Sequence, residues 1–156
     1  DLSAVCQAIA PQLRPVGRAD LLWQRLYSFT NDTLAAFKDL GLQLIVVSNA
    51  DGTVANNLDR LGIGHYFEHI IDSHVVGFEK PHAGIFHAAL EASQANPTTT
   101  LHIGDMYHAD VVGARQVGIA PVLLDPANCW QTNDVYKTPS IQTLCESIIL
   151  ARQSTA

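Results

Sequence analysis

Three short runs in this chain carry residues able to handle a phosphoryl group and a magnesium ion. Ser48-Asn49 ends an apolar run. Lys80-Pro81 precedes a helical pattern. Gly104-Asp105 ends a second apolar run, with Asp110 five residues on. A carboxylate at a strand end, with another at the start of the next helix, suits Mg²⁺. That ion takes one or two carboxylates and fills its shell with waters and substrate phosphate. Gly104 permits a tight exit from the strand. A hydroxyl, an amide and the backbone N–H groups of a helix start make a phosphate cradle. A lysine in the same cleft adds a point charge, without the fixed fork of arginine. Each piece also has a plainer reading. Ser48 and Asn49 are favoured helix caps, Asp105 is a turn residue, Asp110 an N-cap and Lys80 a solvated cation.

The surrounding pattern says what must position these groups. Residues 42–47 form a continuous apolar, β-branched run, the mark of a strand covered on both faces. Residues 53–61 read as a helix stopped by Gly62, 69–72 as a strand, and 83–93 as an amphipathic helix with Ile85, Phe86, Ala89 and Leu90 inward. Residues 100–103 read as a strand, 109–117 as a helix stopped by Gly118, 121–124 as a strand and 141–152 as a last helix. Ahead of them, 33–40 is helical, with Asn31 or Asp32 as cap and Gly41 as stop. Helical spacing also marks 1–10, and 19–27 reads as a short helix or turn. Trp23, Tyr27 and Phe29 are expected to pack. Strands alternating with helices imply right-handed βαβ units and a parallel sheet. Ligands then bind at the carboxyl ends of the strands, where Ser48, Asn49, Asp105 and Asp125 all fall.

Composition narrows the partners. The 156 residues suit one domain, and an apolar fraction of 47% with 15% charged is globular. The formal charge of -6, with nine scattered Lys and Arg, argues against a nucleic-acid partner. No apolar run reaches the roughly 20 residues of a membrane span. Cys6, Cys129 and Cys145 lack ligand spacing and read as reduced thiols, so a cytoplasmic location is expected. The seven histidines show no metal-site pattern; His102 is expected to pack within a strand, and His108 lies near the acids.

Taken together, LQLIVVSNADG, VVGFEKPHAGIFHAAL and LHIGDMYHADVVGARQVGI resemble the haloacid dehalogenase-like (HAD) hydrolases, most closely the phosphatase branch with a small helical cap. The resemblance runs from about residue 32 to 126. It implies an α/β, doubly wound parallel sheet of Rossmann type. By the same resemblance Ser48 and Asn49 bind and position the phosphoryl group, and Lys80 holds the charges of phosphate and nucleophile together. Asp105 is implied as a magnesium ligand, and Asp110 as the second acid supporting the metal or its waters. The implied chemistry is Mg²⁺-dependent attack of an aspartate on a small phosphorylated metabolite, through an aspartyl-phosphate.

The chain departs from the family at the nucleophile. The family has Asp-x-Asp-x-Thr after an early strand, and no Asp-x-Asp occurs in these 156 residues. Asn49-Ala50-Asp51-Gly52-Thr53 mimics that run, but its order relative to Lys80 and Asp105 makes it the phosphate-binding motif. The economical expectation is a chain truncated at its N-terminus, with residues 1–28 a cap remnant and 29–156 the C-terminal part of the core. The sheet would then lack its first, central strand, between those starting near Leu42 and Thr100, and exposed edges would favour self-association. Such a chain by itself would be inactive. Two alternatives stand beside the phosphatase: a non-catalytic relative that binds phosphate or a protein partner, and a haloacid dehalogenase, which needs no metal. A smaller departure is His82-Ala83, where the family commonly has Asp-Pro.

Overall fold

The computed structural model describes residues 25–154. The helix expected over 1–10, most of the 19–27 segment, Cys6 and Trp23 lie outside them, as does all but the end of the expected cap remnant. Helix α1 (Thr30–Asp39) buries Thr30, Thr33, Leu34 and Phe37, a helical face repeating at three and four residues. It begins earlier than its side-chain caps suggest, with Phe29 at the N-cap position and no side-chain capping bond. Gly41 ends it at φ +75, a conformation that costs glycine no Cβ clash. Tyr27 does not pack into the core: it is 76% exposed and stacks only on Phe29.

The core alternates strand and helix. Strand β1 (Ile45–Ser48) leads to α2 (Val54–Arg60), then β2 (His69–Asp72) and the single turn α3 (Ser73–Val76). Helix α4 (Ala83–Ser93) precedes β3 (Leu101–Gly104). A π-helical turn (Tyr107–Val112) runs into α5 (Gly113–Gln116), followed by β4 (Ala120–Leu124), β5 (Tyr136–Thr138) and α6 (Ile141–Gln153). The helix expected over 109–117 is thus split in two. Its first part, Tyr107–Val112, is a π-helical turn, and such turns are frequent at functional sites. Strand β5 is only three residues long and has no apolar alternation, so the sequence does not announce it.

All strand pairings are parallel. They form two separate ladders, β1-β2 and β3-β4-β5. Strands β1 and β3 do not pair with each other. Between them lies a groove of about 90 Å³ whose walls include Ile45, Val47, Phe86, His102 and Ile119. The break falls where the resemblance places the family's first strand.

Helix α4 packs on the β1-β2 ladder and on α5, and its Phe86 ring meets His102 of β3 edge-on. Ile85 and Phe86 are 0% and 1% exposed and pack with Ile71, Ala89, Ala114 and Ile119. Burying a side chain such as Phe86 contributes roughly 1.5–3 kcal/mol. This shared core joins the two ladders in the absence of hydrogen bonds between them. A smaller cluster of Val111, Leu123 and Val135 packs under Tyr107 and Trp130, whose rings stack at 4.1 Å. No helix among the described residues is long and apolar enough to cross a membrane.

Candidate active site at the strand ends

Ser48 is the last residue of β1, and Asn49 begins the loop that follows. That loop is tied down from β2. Ser73 Oγ accepts from the Ala50 N–H at 3.0 Å and donates to Ala50 O at 3.1 Å. The Asp72 carboxylate, 4% exposed, accepts from the Gly52 and His74 N–H groups. Asp51 accepts from the Thr53 N–H. The N–H groups at 50, 52 and 53 are therefore engaged within the protein. Ser48 and Asn49 line an open cleft of about 620 Å³ that runs past Val46, Leu58 and Leu61.

Asn49 links this loop to the next. Its amide Nδ2 donates to Lys80 O at 2.9 Å, and its Oδ1 accepts from the Lys80 N–H at 2.7 Å. A two-point clamp of this kind fixes orientation as well as distance. Lys80 sits in the connection between α3 and α4, its peptide bond to Pro81 is cis, and α4 starts only at Ala83. His82 caps α4, its ring Nδ1 accepting from the Gly84 N–H, in place of the Asp-Pro that the family commonly carries there.

From that clamped backbone the Lys80 ammonium reaches Asp110 Oδ1 at 2.7 Å. Both groups are screened from water, with side chains 14% and 4% exposed. His102 Nε2 lies 2.9 Å from the same oxygen, and the Met106 N–H donates to Asp110 Oδ2 at 2.9 Å. A carboxylate offers about four acceptor positions, and three are filled here. Asp105, one residue beyond β3, is exposed. His108 is exposed as well. Asp125 follows β4 but serves its own loop, accepting from the Cys129 and Trp130 N–H groups.

Burial alone would raise the Asp110 pKa. The hydrogen bonds from His102, Lys80 and Met106 outweigh it and hold the carboxyl well below the usual carboxylate range. The folded state therefore prefers the ionised form. Its contribution to stability is fully present above the unfolded carboxylate range and is lost as pH falls below about 4 toward the folded value. Urea melts of the wild type should show stability falling between pH 5 and 3. Asp110→Asn should lose part of that slope, and an unchanged slope would remove Asp110 as a cause of acid lability.

The sequence residues Ser48, Asn49, Lys80, Asp105 and Asp110 thus gather along one edge, at the carboxyl ends of β1 and β3. Contacts between them run from Asn49 through Lys80 to Asp110. His102, read from the sequence as a packing residue, is also bonded to this chain of contacts. Its spacing of eight residues from Asp110 matches no local motif; only the turn after β3 folds the two together.

A parallel, doubly wound α/β domain with polar groups collected at its strand ends defines the class: a Rossmann-type core. The haloacid dehalogenase-like hydrolase family profile matches residues 7–118, and the chain belongs to that family. It is 34% identical over 159 residues to the haloacid dehalogenase-like hydrolase domain-containing protein 3 of Bos taurus, covering 96% of this chain and 63% of that protein. It is 35% identical over 103 residues to the glyceraldehyde 3-phosphate phosphatase of Methanothermobacter thermautotrophicus, covering 65% of this chain and 45% of the enzyme. Among solved structures, a HAD phosphatase from Thermococcus onnurineus superposes with a TM-score of 0.75 at 26% identity, over 80% of this chain and 58% of that one. The chain thus spans less than two thirds of the length of each of these relatives.

Proposed function

We propose that this chain carries the phosphate- and metal-binding half of a magnesium-dependent phosphatase acting on a small phosphorylated metabolite. The observation that carries this is the continuous link from Asn49 through the Lys80 backbone and ammonium to Asp110. It sets an amide, a cation and a carboxylate at one strand edge, one residue on from the Ser48 hydroxyl, where phosphoryl charge needs them. The phosphatases among its relatives support the same reading.

The donor set fits Mg²⁺. It consists of oxygens, and the described residues hold no cluster of three or more His, Cys, Asp or Glu that would cage a metal. A hard ion that keeps its waters and leans on one or two carboxylates plus phosphate suits such an open site. Asp105 is the direct ligand in this assignment, and Asp110, already holding three donors, acts on the ion's waters. Bound there, the ion would neutralise charge on the phosphoryl oxygens. Ser48 donates its hydroxyl to the phosphoryl group. Lys80 places positive charge between phosphate and nucleophile. Asn49 holds the lysine loop against the serine loop. The attacking aspartate, which forms the aspartyl-phosphate, comes from outside the described residues.

Asp105→Asn should weaken Mg²⁺ binding by tenfold or more, on the scale of about 1.4 kcal/mol per factor of ten, while leaving the melting temperature near wild type. Calorimetric Mg²⁺ titration checks the first part and thermal denaturation the second. Equal affinity in both proteins would move the metal elsewhere. Phosphate release from small sugar phosphates, measured on a form of the protein that carries the attacking aspartate, with and without a chelator, separates phosphatase from dehalogenase, since dehalogenation needs no metal. The absence of any Asp-x-Asp in these residues favours a second reading, a non-catalytic phosphate-binding relative. Binding of inorganic phosphate with no turnover, in a form of the protein that carries an aspartate nucleophile motif, would support it.

A further inference from the structure

The His102 ring stands edge-on to Phe86, with centroids 5.0 Å apart and planes at 80°. Its side chain is 11% exposed, and Phe86 beneath it is 1% exposed. The ring therefore rests on a rigid support. From there Nε2 meets Asp110 Oδ1 at 2.9 Å, the oxygen that takes the Lys80 ammonium at 2.7 Å. We propose that His102 is a positioning residue of the phosphate site: it holds the Asp110 carboxylate in the orientation that pins Lys80 Nζ.

The physical reason lies in the freedom of the partners. A carboxylate turns easily about its last torsion, which is broad rather than staggered. The Met106 N–H restrains this torsion through a single bond at Oδ2. A second donor on Oδ1, from a ring locked by packing, removes that freedom. Lysine gives up much of its rotamer freedom when it is held in one place. An acceptor already in position makes that cost easier to meet. Because the partner is a carboxylate, Nε2 carries the proton and donates. His102 acts on the site only through Asp110, so it is not a catalytic residue.

Two variants test the assignment. His102→Met fills the space against Phe86 and offers no donor. His102→Gln places an amide N–H near the imidazole Nε2. Each is read twice: by calorimetric affinity for inorganic phosphate, and by the ¹H–¹⁵N signal of the Lys80 ammonium, which survives water exchange only while the group is held. His102→Met should lose the ammonium signal and weaken phosphate binding about ten- to a hundredfold, the usual scale for removing an outer hydrogen-bond partner of a site. His102→Gln should restore both.

A merely structural role would lower the melting temperature of His102→Met while the folded protein kept both the signal and the affinity; that result overturns the proposal. If His102→Met does not fold, His102→Gln decides by itself. Retention of both readouts supports the positioning role, and their loss in a folded protein overturns it. The binding readout rests on the proposed phosphate site, whereas the ammonium signal does not. A wild type that shows the signal but binds no phosphate would therefore refute the phosphatase reading, and the signal in the two variants would still decide the role of His102.

Discussion

Lys80→Met is expected to lower the stability of the folded protein by about 3 kcal/mol and to abolish binding of inorganic phosphate. Lysine at this position looks from the sequence like a mobile cation whose removal spares the fold. In the structure it is one half of an ion pair with Asp110, whose side chain is 4% exposed. Removing one partner of a buried pair leaves a charge without its counter-charge, which typically costs about 3–5 kcal/mol. The lower end applies because His102 and the Met106 N–H still bond the carboxylate. Urea denaturation near pH 7 measures the loss. The double variant Lys80→Met/Asp110→Asn should recover part of it, because the orphaned charge is gone. Strictly additive losses would mean that the two groups are not coupled.

Gly104→Ala should damage the site as severely. A Cβ built on Gly104 would fall inside the Asp110 carboxyl group. Some clashes are relieved when the far end of a flexible side chain moves aside. This one is not, because Asp110 is held at both oxygens by Lys80, His102 and Met106. Either the strand end shifts or the carboxylate leaves its three donors. Overpacking of a tight site costs about 1–3 kcal/mol, and displacement of the carboxylate adds the loss of its hydrogen bonds. The expected result is a destabilised protein that no longer binds phosphate. Gly41→Ala is the contrast. Its added Cβ meets nothing within 4 Å, and the cost is that of φ +75 alone, about 1 kcal/mol. It should leave phosphate binding intact. If Gly104→Ala behaved like Gly41→Ala, the packing of Asp110 against β3 would be wrong.

Both expectations depend on the hold of Lys80 on Asp110, whose partners lie 30 residues apart in sequence, and this marks how much the sequence alone could reveal. The strand near 42–47, the strand at 69–72 and the helix at 83–93 were legible because their apolar periodicity is strong and their stops are glycines or polar turns. The location of Ser48, Asn49, Asp105 and Asp125 at strand ends followed from the same alternation, since parallel strands bring their carboxyl ends together. Helix α1 and the π-turn were less legible. Capping propensity pointed to Asn31 or Asp32, but the burial of Thr30 and Thr33 pulls the start forward. The turn at Tyr107–Val112 is π-helical, where local pattern reads an ordinary helix.

The sequence by itself determined the alternation of strands and helices, the family, and the residue types available to a phosphate site. Those features live in local pattern and motif order, which a single chain displays directly. Only the tertiary structure decided which of those residues are free and which are occupied. It gave the Asn49 amide to the Lys80 backbone, the loop N–H groups to Asp72 and Ser73, and three acceptor positions of Asp110 to Lys80, His102 and Met106. It also left β1 and β3 unpaired on either side of a groove. Hydrogen-bond partners 23 to 31 residues apart leave no periodic trace, because geometry selects them only after the sheet has brought the loops together.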